Sequence, residues 1–295
     1  MNKETLLLGL YAETSLHAGT GQGLGVIDLP IQREAHTGWP CVYGSGMKGA
    51  LRDRAEQYSD DKEWIQDAFG PEVINGGAEN AGAFMITDAR LLLLPIRSLT
   101  THFKWVTCPA LLQRFAQDQH RLCGQSCQLP ELAITDAQAL VYNAQRQAHV
   151  FLNEFRFQTV EKQTELTSII EMILPLLGDD NQRSRLETRL VIVSDDIFSH
   201  LCQATPVNAH VRLDANKTVV NGALWFEESL PPDTVLYCGI VASDSRRKDS
   251  KLKASDLLNQ MNNVVFPPDN NYLQIGGNET VGMGWCRVAL LKKEG

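Results

Sequence analysis

No apolar stretch in this sequence is long enough to cross a bilayer. The longest runs, such as Leu91-Leu92-Leu93-Leu94, fall far short of the ~20 residues a spanning helix needs, and no membrane contact is expected. Paired Cys-x-x-Cys knuckles, a Gly-x-x-x-x-Gly-Lys-Ser/Thr phosphate loop, a Gly-x-Ser-x-Gly elbow and a His-Glu-x-x-His helix are all missing. Zinc ribbons, P-loop hydrolysis, α/β-hydrolase chemistry and zincin proteolysis lose their usual signatures with them. Basic residues are in deficit, 27 against 35 acidic ones for a net charge of -8. That argues against a protein that coats nucleic acid over its whole surface, although a local track of a few cations is compatible with it. The seven cysteines are odd in number and scattered over 295 residues, which does not describe a secreted disulfide scaffold. Asn2-Lys3-Glu4 leads straight into a strand-like run with no signal-peptide pattern, so a reducing cytoplasm is the expected location.

The chain does have enough apolar residues, 43%, to bury a real core. Leu6 and Leu10 bound a short buried strand. A polar, glycine-rich loop follows over residues 14–46, anchored by Val26, Ile27, Leu29, Ile31 and Trp39; ordered loops of this length are usually functional. Ser45 stands where a helix cap is expected, and Met47, Ala50, Leu51 and Ala55 give a helical stripe to about Tyr58. Residues 59–80 read as a polar insertion with Trp64, Ile65 and Phe69 as core anchors. Strands are expected over 83–95, 98–106, 139–142 and 150–158. Helices are expected over 108–117, opened by Pro109, and over 164–177. An apolar run follows at 186–193, then a projecting hairpin within 195–228 with its turn at Asp214-Ala215-Asn216-Lys217. A turn and strand at 230–241, a helix at 252–261 and a strand, glycine turn and strand over 272–291 complete the chain. No regular repeat stands out. This mixture predicts an α+β fold in a single domain, 1–295, with insertions at 59–80 and 107–185.

Five groups of residues could carry chemistry. Gly44-Ser45-Gly46-Met47-Lys48-Gly49 leads small residues into a helix, whose free N–H groups suit a phosphate. Lys48 and Arg52, four apart, share one helix face and could clamp successive phosphates; two solvated cations after a flexible turn is the plainer alternative. Gly276, Gly277, Gly282 and Gly284 allow close backbone approach to a ligand or positive φ angles, and an ordinary hairpin turn explains them as well. Asp28, between a glycine stretch and Pro30, could orient water, accept a proton or bind Mg²⁺, or simply cap a turn. His17 and His36 are candidate partners for it, each also explicable as a structural histidine. The projecting span holds His210, Arg212 and Lys217, which could lie across a nucleic acid backbone or be solvated. His120, Cys123 and Cys127, with Cys108 upstream, allow a zinc reading at irregular spacing, with unligated cysteines as the default.

Taken in order, several stretches resemble one family. They are His17-Ala18-Gly19-Thr20-Gly21, Ile27-Asp28-Leu29-Pro30-Ile31-Gln32-Arg33-Glu34, Thr37-Gly38-Trp39-Pro40 and Gly44-Ser45-Gly46-Met47-Lys48-Gly49-Ala50-Leu51-Arg52. Gly222-Ala223-Leu224-Trp225-Phe226-Glu227-Glu228 and Ile275-Gly276-Gly277-Asn278-Glu279-Thr280-Val281-Gly282-Met283-Gly284 continue the series. Together they resemble the repeat-associated RNA-binding (RAMP) superfamily of CRISPR systems, and within it the backbone subunits of type III-B (Cmr) effectors. Gly46 departs from the family's usual serine. The resemblance implies a modified ferredoxin-like or RNA-recognition-motif palm with inserted fingers and a protruding thumb β-hairpin. It implies an antiviral ribonucleoprotein in which several copies of the chain, with other subunits of the effector, stack along one CRISPR RNA. Each thumb would interrupt the guide–target duplex at six-nucleotide intervals. Target single-stranded RNA would be cut there by endoribonuclease action, with Mg²⁺ or Mn²⁺ as cofactor. By the same resemblance Asp28 is the catalytic residue and metal ligand. Lys48, Arg52, Ser45, Gly276, Gly277, Gly282, Gly284, Arg212 and Lys217 are assigned to RNA binding.

Overall fold

The computed structural model describes residues 3–23, 25–71, 80–99, 101–144, 148–178 and 181–292. The leucine-rich first strand is β1, Lys3–Ala12. The 14–46 stretch forms isolated bridges and a two-residue strand, β2 (Cys41–Val42), before helix α1, Gly44–Tyr58. Residues 59–80 are not all loop. A helix, α2 (Lys62–Phe69), opens on Asp61, whose carboxylate accepts the Trp64 N–H at 2.9 Å, and its buried face carries Trp64, Ile65 and Phe69. Residues 72–79 lie outside the described residues. The apolar 83–95 run is divided at Thr87-Asp88 into β3 (Phe84–Ile86) and β4 (Ala89–Ser98). Then come β5 (His102–Thr107), α3 (Pro109–Cys123) and β6 (Gln138–Val141). The expected 150–158 strand is a hairpin, β7 (His149–Leu152) and β8 (Phe155–Glu161), because Asn153 takes a left-handed φ of 52° and turns the chain. Next are α4 (Gln163–Ile173), α5 (Gln182–Arg189), β9 (Leu190–Ile192) and α6 (Asp195–Leu201). The projecting hairpin is β10 (Val207–Leu213) and β11 (Val219–Glu228). The chain closes with β12 (Val235–Ser243), α7 (Ala254–Gln260), β13 (Tyr272–Gln274) and β14 (Trp285–Lys292).

Twelve strands among the described residues form one mixed sheet in the order β13-β14-β1-β12-β4-β5-β9-β6-β8-β7, with β2 attached to β4 and β3 to β12. β1 lies between β12 and β14, antiparallel to both. Alternate residues on a strand face opposite sides, and β1 is apolar on both because both faces of the sheet are covered. Leu6, Leu8 and Leu10 join Met47, Leu51, Trp64 and Leu257, from α1, α2 and α7. Leu7 and Tyr11 join Phe115 from α3 and Ile169 and Ile173 from α4. Gly9 is required on that second side: a Cβ there would stand 2.5 Å from the Leu176 carbonyl oxygen.

Within the 107–185 region, without a function assigned from sequence, α3 and α4 therefore cover the second face of the sheet, while β6, β7 and β8 extend the sheet itself. α3 and α4 close this face as α1, α2 and α7 close the other, leaving loops, edges and the hairpin as the surfaces open to a ligand. The α+β class expected from the sequence is the one observed. The hairpin, however, occupies 207–228 and not the whole of 195–228. Residues 195–201 are α6, held in the core by Phe198 and Leu201, with Phe198 edge-to-face on Trp39 at 5.8 Å. β10 and β11 form a sheet of their own and leave Val207, Val211, Leu213, Val219, Leu224 and Phe226 between 40% and 55% exposed.

Candidate nucleic-acid interface

At the base of the hairpin the 14–46 loop lies against β11. The Leu29 N–H donates to the Phe226 carbonyl at 3.1 Å, and the Glu228 N–H donates to the Leu29 carbonyl at 3.0 Å, making a short parallel bridge. Asp28 continues this ladder with its side chain, Oδ2 accepting the Phe226 N–H at 2.7 Å. Its other carboxylate oxygen has no hydrogen bond among the described residues. Asp28 is exposed and lines an open pocket of about 440 Å³ with Gln22, Gly23, Leu29 and Trp225. The Gly23 N–H closes the loop by donating to the Asp28 carbonyl at 2.8 Å. Trp225 stacks on His210 across the hairpin, rings 5.6 Å apart and inclined by 15°.

Beneath Asp28 the loop is pinned by a buried carboxylate. Glu228 is 3% exposed. Its Oε1 accepts from Arg33 at 2.5 Å and from the Thr205 hydroxyl, and its Oε2 accepts the Ile31 N–H at 3.0 Å. Burial alone would raise the Glu228 carboxyl. Donation by Thr205, by the Ile31 N–H and by the Arg33 guanidinium outweighs it and holds the group below the usual carboxylate range. Arg33 also donates to the carbonyls of Gly38 and Cys202, at 2.9 and 3.0 Å. A charge buried with this many partners fixes geometry as much as it adds stability.

The glycine-rich turn between β13 and β14 meets the same base. Gly277 and Gly284 donate their N–H groups to the carbonyls of His17 and Ser15, at 2.9 and 2.8 Å. Gly276 has φ +85°, and a Cβ there would meet the His17 carbonyl oxygen at 2.2 Å; at Gly284, with φ +82°, it would meet that of Ile275 at 2.1 Å. Backbone packing thus explains these two glycines, and Gly284 is buried, while Gly276, Gly277 and Gly282 are exposed. His17 is 8% exposed. Its Nδ1 lies 2.6 Å from the Glu228 carbonyl, which can only accept, so Nδ1 carries the proton. Nδ1 is also 4.0 Å from Glu227, whose Oε1 accepts from the Asn278 amide at 2.5 Å. Asp28 and His17 thus both rest on the end of β11. His36 does not; its side chain is 78% exposed, 3.9 Å from Glu34.

Gln32 links this base to α1, donating to the Gly19 carbonyl at 2.9 Å and accepting the Tyr43 N–H at 2.6 Å. Tyr43, and not Ser45, occupies the N-cap position of α1, with no side-chain cap bond, and Ser45 lies inside the first turn. The Gly44 N–H is taken by the Asp88 carboxylate at 2.7 Å, so the helix start already faces one acidic group. The Ser45 and Gly46 N–H groups remain without a backbone acceptor among the described residues. Lys48 is half-buried with no ion pair among the described residues. Arg52, four residues on, is held by Glu56 at 2.7 Å and by the Gly70 carbonyl at 3.1 Å. Arg212 and Lys217 are exposed on the hairpin. Lys217 sits in its turn at φ +64°, with Asp214 accepting the N–H groups of Asn216 and Thr218.

Among the described residues no three His, Cys, Asp or Glu side chains gather to hold a metal ion. His120 is exposed while Cys108 and Cys123 are buried, so the irregular His-x-x-Cys-x-x-x-Cys spacing forms no zinc centre. Asp28 offers a single carboxylate with one oxygen engaged. That suits an ion carried mostly by water and phosphate oxygens, as Mg²⁺ often is, and not a resident ion in a protein cage.

The RAMP superfamily model matches residues 10–287. The chain belongs to the RAMP superfamily. It is 35% identical over 294 residues to the CRISPR system Cmr endoribonuclease Cmr4 of Pyrococcus furiosus, an alignment covering 96% of this chain and 95% of that one. It is 27% identical to the CRISPR system CMR subunit Cmr4 of Saccharolobus solfataricus, over 93% of this chain and 92% of the relative. Oligomeric Cmr4 from Pyrococcus furiosus superposes with a TM-score of 0.76 at 29% identity, over 99% of each chain. A chain of type III-B Cmr-beta bound to cognate target RNA shares the fold at a TM-score of 0.74 and 20% identity. This RAMP chain is thus Cmr4-like along nearly its whole length. Trp225, Glu227 and Glu228 were not singled out as site residues from the sequence. The signals for the glutamates are the resemblance of the 222–228 stretch and the adjacent acidic pair that ends β11.

Proposed function

We propose that this chain is a guide-RNA-binding backbone subunit of a type III-B CRISPR effector that cuts guide-paired target RNA beside its hairpin. The palm in this reading is ferredoxin-like. β1, β3 with β4, β12 and β14 are its four strands in the order fourth, first, third, second, with α1 and α7 as its two helices. The β10–β11 hairpin is the thumb, and copies stacked along the guide set cuts at six-nucleotide intervals. Lys48, Arg52, Ser45, the glycine-rich turn, Arg212 and Lys217 hold RNA backbone, giving sequence-independent, salt-sensitive binding, while base pairing supplies specificity.

One observation carries the catalytic part: an exposed carboxylate, Asp28, fixed at the thumb base in an open pocket, with one oxygen unengaged among the described residues. A target backbone kinked at the thumb can bring a 2′-hydroxyl into line with the adjacent phosphorus. Asp28 assists removal of the hydroxyl proton or positions the phosphate. The 2′-oxygen–phosphorus bond forms, the bond from phosphorus to the 5′-oxygen breaks, and that oxygen is protonated. The products are a 2′,3′-cyclic phosphate and a 5′-hydroxyl. A divalent ion, Mg²⁺ or Mn²⁺, with Asp28 as its one protein ligand, would neutralise phosphate charge when bound. Holding the strand in line supplies much of the rate, so the isolated chain is expected to cleave poorly. In a guide-loaded complex, Asp28→Ala should bind target and lose the ladder of cuts; an unchanged ladder rejects the assignment. The second reading is a catalytically silent scaffold, favoured by the hydrogen bond that makes Asp28 a structural pin for Phe226.

A further inference from the structure

We propose that Trp225 is the stacking platform for the base of the nucleotide whose 2′-hydroxyl is to attack, an inference that rests on the function proposed above. Trp225 is half-buried and forms one wall of the Asp28 pocket. Its indole is braced by the His210 ring across the hairpin, so it meets a ligand as part of a rigid pair and not as a free rotor. The next residue in the chain, Phe226, donates the N–H that fixes Asp28. Ring and carboxylate are therefore tied to consecutive residues of one strand and face one pocket. At about 440 Å³ the pocket is within the range of small-ligand sites, a suitable size for one nucleoside. A base against Trp225 leaves its ribose on the Asp28 side, which is where the proposed chemistry needs the hydroxyl.

The chemistry of the walls points to a base. Indole offers a flat π-surface that any of the four bases can use, so stacking tolerates sequence, as cleavage set by guide position and not by base identity demands. Gln22, the remaining polar side chain of the pocket, can both donate to and accept from a base edge. A nucleotide turned out of a duplex loses its stacking neighbours, and an aromatic wall replaces one of them. The nucleotide then spends its time in the conformation from which in-line attack proceeds.

The test uses assembled, guide-loaded complexes with a target carrying 2-aminopurine at the nucleotide 5′ to a cut. Its fluorescence should be quenched in the wild-type and Asp28→Ala complexes, and unquenched in Trp225→Ala. Trp225→Ala should cut at least about tenfold more slowly in single turnover, with target affinity within about threefold; Trp225→Phe should recover both quenching and rate. An abasic nucleotide at the same position should slow the wild-type complex by a similar factor and slow Trp225→Ala no further, as expected when both changes remove one contact. Independent, multiplicative losses, or an unquenched probe in the wild type, would overturn the stacking role. An unquenched wild type alongside an inactive Asp28→Ala complex sinks only the stacking. Quenching together with undiminished cutting by Asp28→Ala sinks the catalytic reading of Asp28 and leaves Trp225 as a binding residue.

Discussion

Replacing Glu228 tests whether the thumb base is built as described. The carboxylate takes hydrogen bonds from Arg33, Thr205 and the Ile31 N–H while 3% exposed. Removing it leaves three donors short of an acceptor. Breaking a buried ion pair on one side costs ~3–5 kcal/mol. The Arg33 side chain is 21% exposed and keeps two carbonyl partners, which places Glu228→Ala near the lower end, ~3 kcal/mol. A chain of 295 residues unfolds with an entropy of roughly 0.6 kcal/mol/K, so Tm should fall by about 5 °C. Glu228→Gln provides the pH arm. Because the native carboxyl is held below its ordinary value of 4.5, its stabilisation is complete above that pH and is lost as pH falls through the native pKa. The Tm gap between wild type and Glu228→Gln should therefore be full at neutral pH and close progressively below 4.5. Scanning calorimetry over a pH series reads both quantities. A Glu228→Ala shift under about 1 °C, or a gap that widens on acidification, would refute the reasoning.

The remaining expectations concern the glycines, the basic face and the thiols. Gly276→Ala places a methyl 2.2 Å from the His17 carbonyl oxygen at a φ of +85° and should cost ~2–3 kcal/mol. Gly282→Ala meets open space at φ +83° and should cost only ~1 kcal/mol; equal losses in thermal unfolding would contradict the packing argument. Lys48→Ala should weaken guide binding and lower its salt slope by about 1, whereas Arg52→Ala, already paired to Glu56, should lower it less. A thiol titration of the native chain should find one fast group, the half-buried Cys127. The other six are buried, with Cys41, Cys202 and Cys286 pushed up to about 12 chiefly by burial; two or more fast thiols would contradict that burial.

Patterns that depend on neighbours in sequence are legible in the sequence itself. The leucine run of β1, the stripe of α1, the Pro109 start of α3 and the glycine turn before β14 are local signals, and each element lies where expected. What depends on distant packing was not readable. α2 is eight residues long between polar flanks, too short for periodicity to stand out, and α6 reads as part of the hairpin because its apolar residues, Ile197, Phe198 and Leu201, are so few. The role of residues 107–185 is not legible locally, because α3 and α4 cover a face formed by β1, β12 and β14 from both ends of the chain and β6, β7 and β8 extend the same sheet. The site follows the same division. Asp28 stands out locally between a glycine stretch and Pro30, but spacing alone favours a turn or capping residue, and only the resemblance gives it a catalytic role. Trp225 and Glu228 acquire meaning only where β11 meets a loop some 198 positions away in sequence.

The measurement closest to the central claim is target cleavage by a guide-loaded complex carrying Asp28→Asn. Asparagine keeps a side-chain oxygen to accept the Phe226 N–H, so the thumb base should stay in place while the charge is removed. Target affinity should remain within about twofold of wild type, and cutting beside every thumb should slow by ~10²-fold or more, as loss of an acid–base or phosphate-positioning group does. Cutting at the wild-type rate with that affinity unchanged would show that Asp28 is a structural pin and that the chemistry lies elsewhere.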